Sequence, residues 1–407
     1  MNRLLQGDVG SGKTAVALYA MLAGVANKLQ SAILAPTEVL AEQHFFTMSE
    51  LLRDSSVTLE LFTARTKRQS KGSIVKALAD GRIHLAIGTQ ALLQDDIEFA
   101  NLGLVVVDEQ HRLGVRQRAS LRSKGLSPHY LVMTATPIPR TLALSYFADF
   151  DLSIIDERPP GRTPIVTRWM RSSESRRAYD FIRKQIEEGR QAYIVVPQVD
   201  DSGIDDAKSV IKESQRLAKG PLAGLTVAML HGQMPTEEKT AVMNAFRSGQ
   251  TQVLVATTVI EVGVDVANAT VMLIDNADHF GLSQLHQLRG RVGRGAHASH
   301  CILLSDATSE EAQMRLNTMC RTDDGFEIAE MDLKLRGPGE FFGTRQHGLP
   351  EFKLADLGSE IQLLEQARED ALDLLANDPK LSLPHHRALR EALRSQFRDT
   401  LELAGIG

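Results

Sequence analysis

The sequence predicts an α/β protein of two tandem parallel-sheet domains followed by a mainly helical C-terminal region. Two observations predict this. Over the first 305 residues, short apolar runs alternate with helical stretches. The runs are continuous rather than alternating, as in strands buried on both faces of a parallel sheet. From about residue 306 the sequence turns helical. A length of 407 residues with 43% hydrophobic content accommodates two or three ordinary cores. The boundaries read as 1–156, 157–305 and 306–407.

The first element is a short strand, Arg3–Gln6. GDVGSGKT, Gly7–Thr14, follows it, and then an apolar helix over Ala15–Val25. Strand, glycine-rich turn and helix in that order form a phosphate-binding loop, a reading the flanking elements favour over a chance turn. Gly7, Gly10 and Gly12 let the backbone turn tightly with its N–H groups pointing inward. Phosphate then sits at a helix N-terminus, where orphan donors and the dipole favour negative charge. Lys13 is placed for the β- and γ-phosphates and the Thr14 hydroxyl for Mg²⁺, so the expected ligand is a nucleoside triphosphate.

Strands follow at Ser31–Pro36, Val57–Phe62, Ile83–Gly88, Leu102–Asp108 and Tyr130–Thr136. The fourth of these runs into DEQH, Asp108–His111. Sites of open α/β sheets collect at the carboxyl ends of strands. Asp108 is read as a ligand of the nucleotide's Mg²⁺. Glu109 is read as the group that orients and deprotonates the attacking water, and Gln110 and His111 as reaching toward the other domain. Asp-Glu alone would be an ordinary solvated strand end; its place behind a phosphate loop and four apolar residues gives it meaning.

The segment DERPPGRTP, Asp156–Pro164, breaks the pattern and reads as a linker. The second half has strands at Ala192–Gln198, Leu225–Leu230, Thr251–Thr257, Ala269–Asp275 and Ser299–Ser305, and no second phosphate loop. It also contains HQLRGRVGRG, His286–Gly295. If the halves face each other, Arg291 and Arg294 reach the γ-phosphate, and such an arginine finger is worth roughly 10³ to 10⁵ in turnover. Taken alone, this loop would read as a generic anion contact or a solvated face. A Gly-rich stretch, Leu335–Gly348, and helical sequence from Asp356 to about Leu403 complete the chain.

Composition narrows the class further. The net charge of −5 leaves no global basic footprint for nucleic acid, so any such contact must be local. No apolar run approaches the roughly 20 residues that span a bilayer, and no signal segment opens the sequence. Cys301 and Cys320 are too few for a disulfide framework or a four-cysteine zinc site. They read as reduced, inert thiols of a reducing compartment.

The set GDVGSGKT, APTEVLAEQH, GTQALL, DEQH, TATPIPRT, ATTVIEVGVDV and QLRGRVGRG resembles the ordered motif series of superfamily 2 helicases. Within that superfamily DEQHRLGVRQR, ERPPGRTPI and FGLSQLHQLRGRVGRG closely resemble the bacterial RecG branch-migration helicases. The stretch DLKLRGPGEFFGTRQHGLPEF, Asp332–Phe352, is similar to the translocation motif that RecG shares with the coupling factor Mfd. The resemblance implies two RecA-like domains and ATP with Mg²⁺. It implies double-stranded or branched DNA as substrate, a single-stranded-DNA-binding protein as a further candidate partner, no membrane, a monomer, and a bacterial cytoplasmic location.

Residue by residue, the resemblance assigns Lys13, Thr14, Asp108, Glu109, Arg291 and Arg294 to the nucleotide site, with Gln287 sensing the γ-phosphate. Gly263 and Asp265 would couple the nucleotide cleft to the nucleic-acid track, and Thr134 and Thr136 would link hydrolysis to domain movement. Without the family pattern, these are a core strand with its turn and a strand end. Pro36, Thr37 and Glu38, with Thr89 and Gln90, would line the DNA track, where hydroxyls and amides position phosphates without reading sequence. Thr37 as a plain helix N-cap is the alternative. Aromatics, at 5%, are too scarce for base stacking to dominate. In the tail, Arg336, Arg345, Gln346 and His347 would form a lever on a Gly-rich loop; a structural loop around Gly337, Gly339 and Gly343 is the alternative.

One departure from the family stands out. RecG proteins carry an N-terminal wedge and an adenine-contacting segment ahead of the phosphate loop, whereas here that loop opens directly behind Met1–Gln6. The expectation is therefore a motor half without its wedge. A motor of Mfd type and a non-hydrolysing nucleotide-binding remnant are the other readings, the intact Lys13, Glu109, Arg291 and Arg294 counting against the last.

Overall fold

The computed structural model describes residues 1–63, 66, 68–94, 96–108, 128–134, 150–157, 163–197, 204–261, 266–341 and 361–396. The first sheet contains β1 (Asn2–Gly7), β2 (Gln30–Leu34), β3 (Leu59–Phe62), β4 (Leu85–Gly88), β5 (Leu102–Asp108), β6 (His129–Thr134) and β7 (Asp151–Ile155). Their order is β3-β4-β2-β5-β6-β1-β7, with every pair parallel. Helices α1 (Lys13–Ala26), α2 (Glu38–Leu51) and α3 (Arg68–Ala79) belong to its crossovers.

The second sheet contains β8 (Val166–Met170), β9 (Gln191–Val195), β10 (Val227–Leu230), β11 (Val253–Ala256), β12 (Ala269–Ile274) and β13 (His300–Leu304). Its order is β10-β11-β9-β12-β13-β8, again all parallel. With it go α4 (Ser175–Glu187), α5 (Ile204–Lys219), α6 (Thr236–Arg247) and α7 (Leu282–Arg289).

The predicted α/β class holds, and the continuous apolar runs are its cause. All five residues of β2 and all six of β12 are buried, because helices cover both faces of the central strands. In the first sheet Ile33, Ile87, Val106 and Leu131 pack with Ala17, Met21, Ala41 and Met48 of α1 and α2. In the second sheet one face packs Leu254, Met272 and Leu303 with Leu285 and Leu288 of α7, and the other packs Val255, Val271 and Leu273 with Ile182 of α4.

Two strands lie outside the apolar-run reading. β7 and β8 are edge strands with half-exposed residues, so DLSII and VTRWM carry no continuous apolar signature. The chain leaves the first sheet at Ile155 and enters the second at Val166. The predicted linker lies between them, with 158–162 outside the described residues.

After β13 come α8 (Glu310–Arg321) and α9 (Gly325–Phe341). The predicted Gly-rich loop from Leu335 is helical as far as Phe341. Ile328, Ala329 and Leu333 bury the front of α9. Both sheets lie in one compact unit, residues 1–139 and 149–336, and the later helices α10 (Ile361–Asn377) and α11 (Arg387–Gln396) belong to a second. In that second unit the Asp378 carboxylate accepts from the Leu383 N–H, the Ser382 hydroxyl and His386 Nδ1, which holds it well below the usual carboxylate range. Among the described residues no helix is long and apolar enough to cross a membrane.

Candidate nucleotide site

The parallel register places the carboxyl ends of β1, β5 and β6 side by side, with Gln6 opposite Thr134 and Asp108 opposite Met133. The phosphate loop leaves that edge. Gly10 and Gly12 have φ of 79° and 92°, the left-handed region that disfavours any side chain. Gly7 is required for contact rather than angle, since a Cβ there would lie 2.5 Å from Ser11 Oγ and 3.2 Å from Ile155 Cβ. Gly12 caps α1 facing open space, with nothing within 4 Å of its Cβ position.

Lys13 is buried, and its Nζ donates to the carbonyls of Gly7 and Asp8, both at 2.8 Å. The lysine thus braces the loop from inside. Thr14, half-buried, stands in the first turn of α1.

Asp108 ends β5, and His44 Nε2 of α2 donates to its Oδ2 at 2.9 Å, fixing the carboxylate's orientation. Thr14 and Asp108 offer a hydroxyl and a carboxylate, hard oxygen donors that suit Mg²⁺. Among the described residues no group of three or more His, Cys, Asp or Glu forms an all-protein cage.

The remaining predicted residues divide three ways. Thr37 is the N-cap of α2, its hydroxyl accepting from the Leu40 N–H at 3.3 Å, so the plain capping role is present. Pro36 precedes it, just past the end of β2, and Thr89 stands just past the end of β4 in extended backbone with no side-chain cap bond. Thr134 is buried at the end of β6. Glu109, Gln110, His111, Thr136, Gly263, Asp265, Arg345, Gln346 and His347 lie outside the described residues, as do the side chains of Gln90 and Arg336.

The arginine motif reaches the same loop from the second sheet. α7 ends at Arg289, and a Cβ on Gly290 would meet Val9 Cβ and Cγ2 at 3.1 Å, so the Val9 side chain packs against the Gly290 backbone. His286 Nε2 donates to Asp8 Oδ1 at 2.8 Å. Gln287 is half-buried in α7, and Arg291 and Arg294 are half-buried in the loop beyond it, where Arg294 Nε donates to the Gly290 carbonyl. Gly293, at φ 76°, lets that loop turn.

Asp8, His44, His286 and Arg289 were passed over in the sequence reading although each lies inside a motif it quotes. An acidic residue in a loop built for phosphates was the available signal for Asp8. The thiols match expectation: both are free, and burial pushes the Cys301 thiol up to about 12.

Comparison with known proteins agrees with this geometry. Residues 1–144 match the DEAD/DEAH box helicase family, 176–296 the helicase conserved C-terminal domain, and 322–407 the C-terminal part of domain 3 of ATP-dependent DNA helicase RecG. The chain is 51% identical to the ATP-dependent DNA helicase RecG of Synechocystis over 94% of its length, covering 46% of that protein. It is 48% identical to the RecG of Bacillus subtilis over 99% of its length, covering 59% of that protein. It therefore spans about half the length of these relatives. A structure of RecG bound to a three-way DNA junction superposes with a TM-score of 0.73 at 43% identity, over 90% of this chain and 47% of that one. The chain belongs to the RecG-type superfamily 2 helicases, with two RecA-like sheets and the family's domain 3 sequence behind them.

Proposed function

We propose that the chain is an ATP-hydrolysing motor that translocates on double-stranded DNA and acts at branched structures such as replication forks and Holliday junctions, in repair and recombination. One observation carries the reading: the arginine loop of the second sheet is seated on the phosphate loop of the first, through Gly290 against Val9 and His286 on Asp8. A site split between two sheets opens and closes as they move, which is how hydrolysis becomes movement. The RecG–junction structure supports branched DNA as the substrate, and the domain 3 match supports the RecG type over the coupling-factor type.

In this reading Lys13 and the loop amides, with Gly7, Gly10 and Gly12, hold the β- and γ-phosphates. Thr14 and Asp108 hold Mg²⁺, which would neutralise charge on the phosphate oxygens. Glu109 orients and deprotonates water, and Arg291 and Arg294 stabilise charge as the γ-phosphoryl leaves, with Gln287 beside them. Pro36, Thr37, Thr89 and Gln90 line the DNA track; Thr134, Thr136, Gly263 and Asp265 couple it to the cleft. Arg336, Arg345, Gln346 and His347 act in the tail. The functional division falls at 1–156, 157–305 and 306–407.

The test is Mg²⁺-dependent ATP hydrolysis by the chain with and without duplex DNA, beside Glu109→Gln. That variant should retain nucleotide binding and lose turnover, because the carboxylate acts on water rather than on phosphate. Equal turnover in both proteins refutes the assignment.

A further inference from the structure

Asp8 is an odd residue for its place. A loop that receives a triphosphate has no use for a carboxylate aimed at the phosphates, where like charges repel. Here the carboxylate is bonded to the second sheet instead: Oδ1 accepts from His286 Nε2 at 2.8 Å and also from the Val9 N–H. His286 is 4% exposed and Arg289 is 2% exposed.

The other side of the imidazole fixes its chemistry. Arg289 Nη2 lies 3.0 Å from His286 Nδ1. A guanidinium only donates, so Nδ1 must accept and the ring proton sits on Nε2, directed at Asp8. Arg289 is itself held by the carbonyls of Met319 and Thr322 at the end of α8, at 3.0 and 2.8 Å. The carbonyl end of a helix is a favourable place for a cation. At the front of the same helix α7, the Ser283 hydroxyl donates to buried Asp332 of α9 at 2.8 Å.

We propose that Asp8, His286 and Arg289 form a positioning relay that seats the arginine loop on the phosphate loop and ties that seating to α8 and α9. The Gly290 N–H bonds the His286 carbonyl, and Arg291 follows Gly290 directly. Holding the imidazole on Asp8 therefore holds Gly290 on Val9 and sets where Arg291 and Arg294 stand. None of the three relay residues needs to touch nucleotide. The relay rests on the ATP-motor reading for its consequence.

The experiment uses the full chain with Asp8→Asn, His286→Ala, His286→Gln and the double variant Asp8→Asn/His286→Ala. Steady-state ATP hydrolysis, affinity for a fluorescent ATP analogue, and amide hydrogen exchange are measured on each. A misplacement of about 1 Å at a reacting centre costs on the order of 10²-fold, so kcat should fall by that order in His286→Ala while analogue affinity changes little. His286→Gln, which keeps a donor and an acceptor, should recover part of the loss. The double variant should be no worse than the poorer single one, because the two residues act as one unit. Exchange should rise together in residues 7–14 and 282–294 while the amides of α2 stay unchanged.

Singles with wild-type kcat, or losses that multiply in the double variant, overturn the relay. If the unmodified chain does not hydrolyse ATP, the motor reading fails, and exchange decides the relay by itself. A joint rise in both loops then supports it, and unchanged exchange refutes it.

Discussion

Strand for strand, the second sheet repeats the first. Setting β8 to β13 against β1 to β6 in chain order makes the two sheet orders identical, with β7 added beyond β1. Even the buried polar staple recurs. Gln30, opening β2, donates to the carbonyls of Leu78 and Ile83 before β4 and accepts from the Asn101 N–H before β5. Gln191, opening β9, donates to the carbonyls of Phe246 and Thr251 before β11 and accepts from Asn268 before β12.

The difference lies at the opposite edge. After β1 comes GDVGSGKT; after β8 comes Arg171 and the short turn Ser172–Glu174 before α4. After β5 the edge carries Asp108, oriented by His44; after β12 it carries Asp275, whose carboxyl burial and neighbouring Glu213 push up. One architecture thus occurs twice, and in the proposed function the chemistry depends on a single turn and on what faces one carboxylate. The first sheet brings the phosphate loop and the second brings the arginines.

Several experiments can break or sharpen this comparison. The largest effect belongs to the two unlike contributions. Lys13→Ala should abolish ATP turnover, and Arg291→Ala with Arg294→Ala should lower it by roughly 10³ to 10⁵ in a steady-state assay while the protein remains folded by circular dichroism. If the arginine variant turns over normally, the second sheet does not complete the first sheet's site.

Next come the shared staples. Gln30→Ala removes the donor to the Ile83 carbonyl and Gln191→Ala the donor to the Thr251 carbonyl, at about 1–3 kcal/mol per unsatisfied group, while Leu78 and Phe246 keep backbone donors from Gly81, Ala100 and Gly249. Denaturant unfolding should show losses of similar size in the two variants, and a loss at only one glutamine would break the equivalence of the sheets.

A smaller effect follows from Asp275. Its folded-state acidity is weakened, so its charged form costs stability at neutral pH, and that cost disappears once pH falls into the ordinary carboxylate range where the group is neutral. Asp275→Asn should therefore raise the melting temperature slightly at pH 7, and the gap should close on acidification. A gap that widens toward low pH would reverse the assigned sign.

The smallest effect is an expected null. Arg176 and Arg177, exposed in the first turn of α4, occupy the place corresponding to the phosphate loop's helix, and Arg177 pairs with Glu174 at 2.9 Å. Replacing both with Ala should leave nucleotide affinity unchanged in a fluorescence titration. A drop would reveal a second phosphate site where the sequence has no glycine loop.

The apolar runs and GDVGSGKT by themselves determined the α/β class, the phosphate loop and the edge on which Asp108 stands, because those signals are local. A strand buried on both faces must be apolar throughout, and a loop that wraps phosphate must contain glycine where φ is positive, as at Gly10 and Gly12. The half-exposed β7 and β8 left no such trace, since an edge strand is specified by its neighbour more than by its own residues. The choice for Thr37 was equally open in sequence, and only the bond from the Leu40 N–H made it a cap. What brings Asp8 to His286 is tertiary structure alone: the two are 278 positions apart, and neither residue's local pattern encodes the other. Local physical chemistry sets which elements form, but a hydrogen bond between two sheets exists only when both have folded and docked.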